Sequence, residues 1–99
     1  MRHIADTFMT YDLKRGDSIA SWVVEGEIKH KIQFLCAQLG LVFVDWDRRI
    51  EHVDEVRDAL SLHPPKMLIT DHEIRNTDCV QLLRIAIPEL FHRFFIFIL

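Results

Sequence analysis

Ninety-nine residues are enough for one domain with a modest core and too few for two. Apolar residues make up 49% and charged residues 27%, an ordinary globular balance that excludes a disordered chain. The net charge of -3, with basic residues paired only at Lys14-Arg15 and Arg48-Arg49, argues against a nucleic-acid-binding surface.

Residues 1–17 read as an N-terminal extension. Its stretch TFMTYDL has β-favouring residues in imperfect alternation and could form an extra edge strand or a frayed arm, and Lys14-Arg15-Gly16-Asp17 reads as a turn. Residues 18–24 (SIASWVV) form a β-leaning run, followed by the acidic patch Glu25-Gly26-Glu27. Ile28, Ile32, Leu35, Cys36 and Leu39 then mark one helical stripe, with Lys29, His30, Lys31 and Gln33 turned outward. Gly40 closes that helix.

Residues 41–44 (LVFV) are apolar throughout, as a strand covered on both faces would be. Asp45-Trp46-Asp47 is a turn in which Asp47 is the expected N-cap of a second helix. That helix carries Ile50, Val53, Val56, Ala59 and Leu60 on one side. His63-Pro64-Pro65 stops it. Residues 66–70 are the third strand, Asp78 caps a third helix bearing Val80, Leu82, Leu83, Ala86 and Ile87, and Pro88 ends or kinks that helix. Residues 94–99 (FFIFIL) are a fourth strand.

Four strands alternating with three helices predict an α/β fold, a three-layer doubly wound parallel sheet. Function in such sheets gathers at the carboxyl ends of the strands. Those ends supply Glu25 and Glu27, then Asp45, then Asp71, so acidic residues are expected to converge on one rim.

The stretch KMLITDHEIRNTDCVQLLR resembles the third βα unit of receiver domains in two-component response regulators and hybrid histidine kinases. Those domains end an apolar strand on the phosphoacceptor aspartate, then run through x-x-Met-Pro-x-x-Asp-Gly into a helix beginning x-Glu-Leu-Leu. Asp71 takes the phosphoacceptor place and Asp78 is retained, while Ile74-Arg75 stands for Met-Pro and Cys79 for Gly. Gln38-Leu39-Gly40 and Pro88-Glu89-Leu90 are similar to weaker signatures of the family, so residues 18–99 form the receiver-like part. The resemblance implies a flavodoxin-like fold, a histidine kinase or other signalling protein as partner, and Mg²⁺. The metal ligands it implies are Glu25, Glu27, Asp71 and the backbone carbonyl of Glu73.

The chain departs from that pattern. The acidic pair expected after the first strand is altered, and the Thr or Ser after strand 4 and the Lys after strand 5 lie beyond Leu99. The resemblance therefore implies a phosphorelay module accepting a phosphoryl group on Asp71 weakly at most. The alternative is an interaction or structural domain independent of phosphorylation. Strand 4 would be a bare apolar edge in the family's order, which implies a homodimer or a strand-covering partner.

Other chemistry finds little support. The six histidines lack HExxH or i, i+4 spacing, the three glycines are isolated, and no GxSxG occurs, so no catalytic residue is assigned and the chain is not expected to be an enzyme. Cys36 and Cys79 lack CxxC spacing and read as reduced, buried thiols. MRHIADTFMTYD has no apolar signal core, and no run approaches the ~20 apolar residues of a membrane span. A cytoplasmic protein is the expectation.

Overall fold

Short, nearly continuous apolar runs build the sheet, and the first three lead on to a helix. The computed structural model describes Asp6, Phe8 and residues 10–87 and 94–99. The elements are β1 (Ser18–Trp22), α1 (Glu27–Leu39), β2 (Val42–Asp45), α2 (Val53–Leu62), β3 (Met67–Thr70), β4 (Glu73–Ile74), β5 (Thr77–Asp78), α3 (Cys79–Ala86) and β6 (Phe95–Ile98). Four of the strands form one sheet in the order β2-β1-β3-β6, and every neighbouring pair in it is parallel. The fold is α/β with a four-stranded parallel sheet, as the alternation of elements predicts.

Alternation along the strands sends side chains to two separate cores. Ala20, Trp22, Leu68 and Ile96 pack with Val56 and Leu60 of α2 and Leu83 of α3. Ile19, Met67, Ile69, Phe43 and Phe97 pack on the other face with Ile32 and Cys36 of α1. All four residues of β3 are buried, so this strand is a wall shared by both cores.

Local signals set several boundaries where the sequence puts them. Gly40 ends α1 at φ 70, a left-handed conformation that an L side chain adopts at a cost, and its N–H donates to the Cys36 carbonyl. A Cβ there would also come within 2.8 Å of the Arg15 side chain. Gly40→Ala is expected to lower stability by about 1–2 kcal/mol, read as a shift in the urea midpoint at constant slope. Asp78 caps α3, its Oδ1 accepting from the Gln81 N–H at 2.9 Å. Pro64 and Pro65 separate α2 from β3.

Five expectations need correction. Asp6, Phe8 and Thr10 are helical rather than extended. Phe8, Tyr11 and Leu13 pack into the core under α1's face of the sheet, and that burial overrides the β preference of TFMTYDL. β2 is an edge strand with Val42 48% exposed, not a strand covered on both faces. Asp47 does not cap α2. That helix starts six residues later with His52 as its N-cap, Glu55 completing the capping box, and Ile50 is buried from the loop before it.

Lys29 is buried, not turned outward. Finally, the stretch between the third strand and the Asp78 cap, for which the sequence predicts no element, contains a hairpin, β4 pairing antiparallel with β5. The Pro88 signal and the Pro88-Glu89-Leu90 signature lie outside the described residues. Among the described residues no helix is long and apolar enough to cross a membrane.

Candidate functional site at the carboxyl rim of the sheet

The chain places β2 and β3 on opposite sides of β1, so the strand order reverses between β1 and β3. The crevice outside the carboxyl ends at such a reversal is where α/β sheets usually take ligands. Backbone hydrogen bonds stitch this rim together. Trp46 donates to the Ser21 carbonyl at 2.8 Å and Asp71 to the Trp22 carbonyl at 3.0 Å.

Asp71 follows β3 directly, as the sequence predicts, and is half-buried. Its Oδ2 accepts from the Val24 N–H at 2.9 Å, bridging the ends of β3 and β1 across the crevice. The neighbouring Thr70 is fully buried and donates its hydroxyl to the Asp71 carbonyl at 2.8 Å.

Glu25 and Asp45 do converge, but on a cation rather than around Asp71. Lys29, one turn into α1, donates to Glu25 Oε1 at 2.5 Å and lies 2.6 Å from Asp45 Oδ2. Helix geometry brings Glu25 and Lys29 together at i, i+4, while Asp45 arrives from the end of β2. Glu27 lies exposed in the first turn of α1. Glu73 is exposed on β4. Among the described residues no three His, Cys, Asp or Glu side chains gather closely enough to hold a metal ion. Of the ligands that the resemblance implies for Mg²⁺, Glu25 serves Lys29 and Glu27 lies exposed.

Beyond Asp45 the loop is basic. Asp47 accepts from the Arg49 backbone N–H at 2.8 Å and from its Nε and Nη2 at 3.1 and 2.9 Å. Arg48, Arg49 and Arg75 line a small cleft with Ile50, Glu51 and Thr77. In the sequence Arg48-Arg49 is a short basic pair, and Arg75 stands out only as part of Ile74-Arg75 in place of Met-Pro. Nothing in the local sequence says that the β4–β5 hairpin carries Arg75 to Arg48.

No family model matches the chain, and no curated protein matches it. Its fold is found in solved enzymes. Over 96% of its length it superposes on a fatty acyl CoA synthetase of Mycobacterium tuberculosis with TM-score 0.78 and 19% identity. A long-chain-fatty-acid CoA ligase from Rhodopseudomonas palustris matches 86% of the chain with TM-score 0.68 and 16% identity. An alanine–glyoxylate aminotransferase from a Nostoc species matches 95% with TM-score 0.55 and 16% identity. The chain spans 18%, 20% and 26% of those proteins, respectively. At these identities the likeness is one of fold.

The rim's charges give the chain a defined pH profile. Hydrogen bonds from Lys29 hold the Glu25 carboxyl below its ordinary range, and Arg49 lowers Asp47 to about 2. The Asp45 carboxylate, then Glu25, raise Lys29 above 10.5. Burial pushes the Cys36 and Cys79 thiols from 9.0 up to about 11. A lowered carboxyl stabilises the fold above its ordinary range, and that gain is lost as pH falls through the folded value. A raised lysine stabilises below 10.5 and is lost as pH rises beyond it, while a raised thiol opposes folding once unfolded thiols ionise above 9.0. Melting temperature is therefore expected to be flat between about pH 5 and 8, falling on either side. Asp47→Asn should shrink the acid limb.

Proposed function

We propose that this chain is a scaffold module of the acyl-CoA synthetase type, equivalent to the matched segment of those ligases, and that it organises partner surfaces rather than supplying reacting groups. The observation carrying this reading is the superposition of 96% of the chain on the Mycobacterium enzyme with TM-score 0.78, seconded by a second ligase. The rim supports the scaffold part of the reading. Lys29 engages Glu25 and Asp45, and Asp71 receives a backbone N–H, so these carboxylates serve as ties between strand ends.

A chimera tests it. The matched segment of the Mycobacterium synthetase is replaced by this chain, with the corresponding Rhodopseudomonas segment as control. A soluble chimera that forms fatty acyl-CoA is the expected result. A chimera that fails to fold while the control folds and turns over overturns the proposal.

A second reading keeps the receiver resemblance, with its flavodoxin-like order, and makes Asp71 a weak phosphoacceptor. The position of Asp71 at the end of a central strand, half-exposed, favours it. Incubation with a small phosphodonor and Mg²⁺ then adds one phosphoryl mass that Asp71→Asn abolishes. No Asp71-dependent mass change removes this reading.

A further inference from the structure

We infer that the cleft between the β2–α2 loop and the β4–β5 hairpin is a binding site for the phosphate head of a small molecule. The inference stands on the arginine geometry alone and goes beyond the ligase reading.

The cleft encloses about 210 Å³ and is lined by Arg48, Arg49, Ile50, Glu51, Arg75 and Thr77. Three arginines and a threonine thus line one small space in a chain whose net charge is -3. Arg49 spends two of its nitrogens on Asp47, which fixes its plane. Arg48 and Arg75 have no ion-pair partner among the described residues. Like charges brought together repel, and an anion between them removes part of that repulsion, as Asp47 does for Arg49. Glu51 is the acidic member of the lining, and it leaves the three arginines in excess.

The hairpin gives a second, independent observation. Arg75 and Asn76 form its two-residue turn, with φ of 49 and 67. Two positive φ values are what a type I′ turn needs, and Asn-Gly or Asp-Gly is the usual solution. Asn76 is suited to its place, whereas a long side chain at Arg75 carries a backbone penalty. The turn tolerates that strain and holds a guanidinium at the cleft, the pattern expected where a side chain is kept for binding.

The lining also defines the ligand class. Planar guanidiniums suit phosphate oxygens bidentately. No aromatic residue lines the cleft, so nothing there stacks a base. The space suits a phosphate or diphosphate head, with the remainder of the molecule outside.

Amide shifts of the full chain, titrated with sodium pyrophosphate and separately with AMP at low ionic strength, test the inference. Saturable shifts are expected at Ile50, Arg75 and Thr77. Arg48→Ala and Arg75→Gly should each weaken binding about tenfold, the loss of one charge-assisted contact. Arg75→Gly should at the same time melt at an equal or higher temperature, because the turn strain is relieved. Binding of both probes assigns a phosphate head on an ester or free; binding of pyrophosphate alone assigns the free anion. No saturable shift up to about 10 mM, well above a weak Kd, overturns the inference. So do shifts unchanged in Arg75→Gly, which would report charge screening only.

Discussion

Trp22→Ala is expected to cost about 3–5 kcal/mol, the range for emptying a buried indole site. Trp22 ends β1 with no exposed surface, and its ring lies 5.5 Å from that of Trp46 at 47°. Truncation empties the centre of the core beneath α2 and α3 and removes the aromatic contact as well. A domain of this length has about 5–15 kcal/mol in total, so about a fifth or more of its stability is at stake. Thermal unfolding followed by circular dichroism should show a melting temperature lower by at least about 12 °C. Trp22→Phe separates packing from polarity. The Trp22 Nε1–H is buried without a partner among the described residues. Removing it offsets part of the lost volume, so Phe should cost only about 1–2 kcal/mol. Equal losses for Ala and Phe would show that the indole's outer ring alone fixes this core.

Lys29→Met should cost about 1–3 kcal/mol in urea unfolding, less than the loss for a fully buried pair. The Lys29 side chain is 9% exposed, whereas Glu25 and Asp45 keep 58% and 42% of theirs in contact with solvent. Methionine retains the stem in its slot, so the measurement isolates the charge. Two carboxylates are left facing each other, and hydration through their exposed sides limits the penalty. Adding Asp45→Asn to Lys29→Met should recover part of the loss. A Lys29→Met protein as stable as the parent would mean that the cluster sets geometry without contributing stability. The high-pH limb of the melting profile above 10.5 should weaken in the same variant.

The features legible in the sequence were those fixed by neighbours along the chain. Gly40, Pro64, Pro65 and Asp78 end or start elements through local backbone chemistry, and the short apolar runs read as strands buried in a sheet. Asp71 at the end of β3 follows from the same logic.

Tertiary contacts decided the rest. Lys29 falls on the polar side of the α1 helical wheel, yet Asp45, sixteen residues on, draws it under the rim. The N-terminal stretch reads as strand by composition. The i, i+3 spacing of Phe8 and Tyr11 was the signal of a helix packed on the sheet. The Arg75-Asn76 turn has no glycine to announce a tight hairpin, so the approach of Arg75 to Arg48 had no local trace.

The sharing of β3 between the two cores has a consequence for how the molecule comes apart. Met67 and Ile69 hold one layer and Leu68 the other, and β1 and β6 both depend on β3 for hydrogen bonding. Peeling away α1 or the α2–α3 layer exposes one side of the same strand. Neither layer retains a complete partner once the other has left. Slow amide exchange should therefore concentrate in β1 and β3 and share one opening free energy, with β2 released earlier from its edge. The chain has two cores and a single cooperative unit.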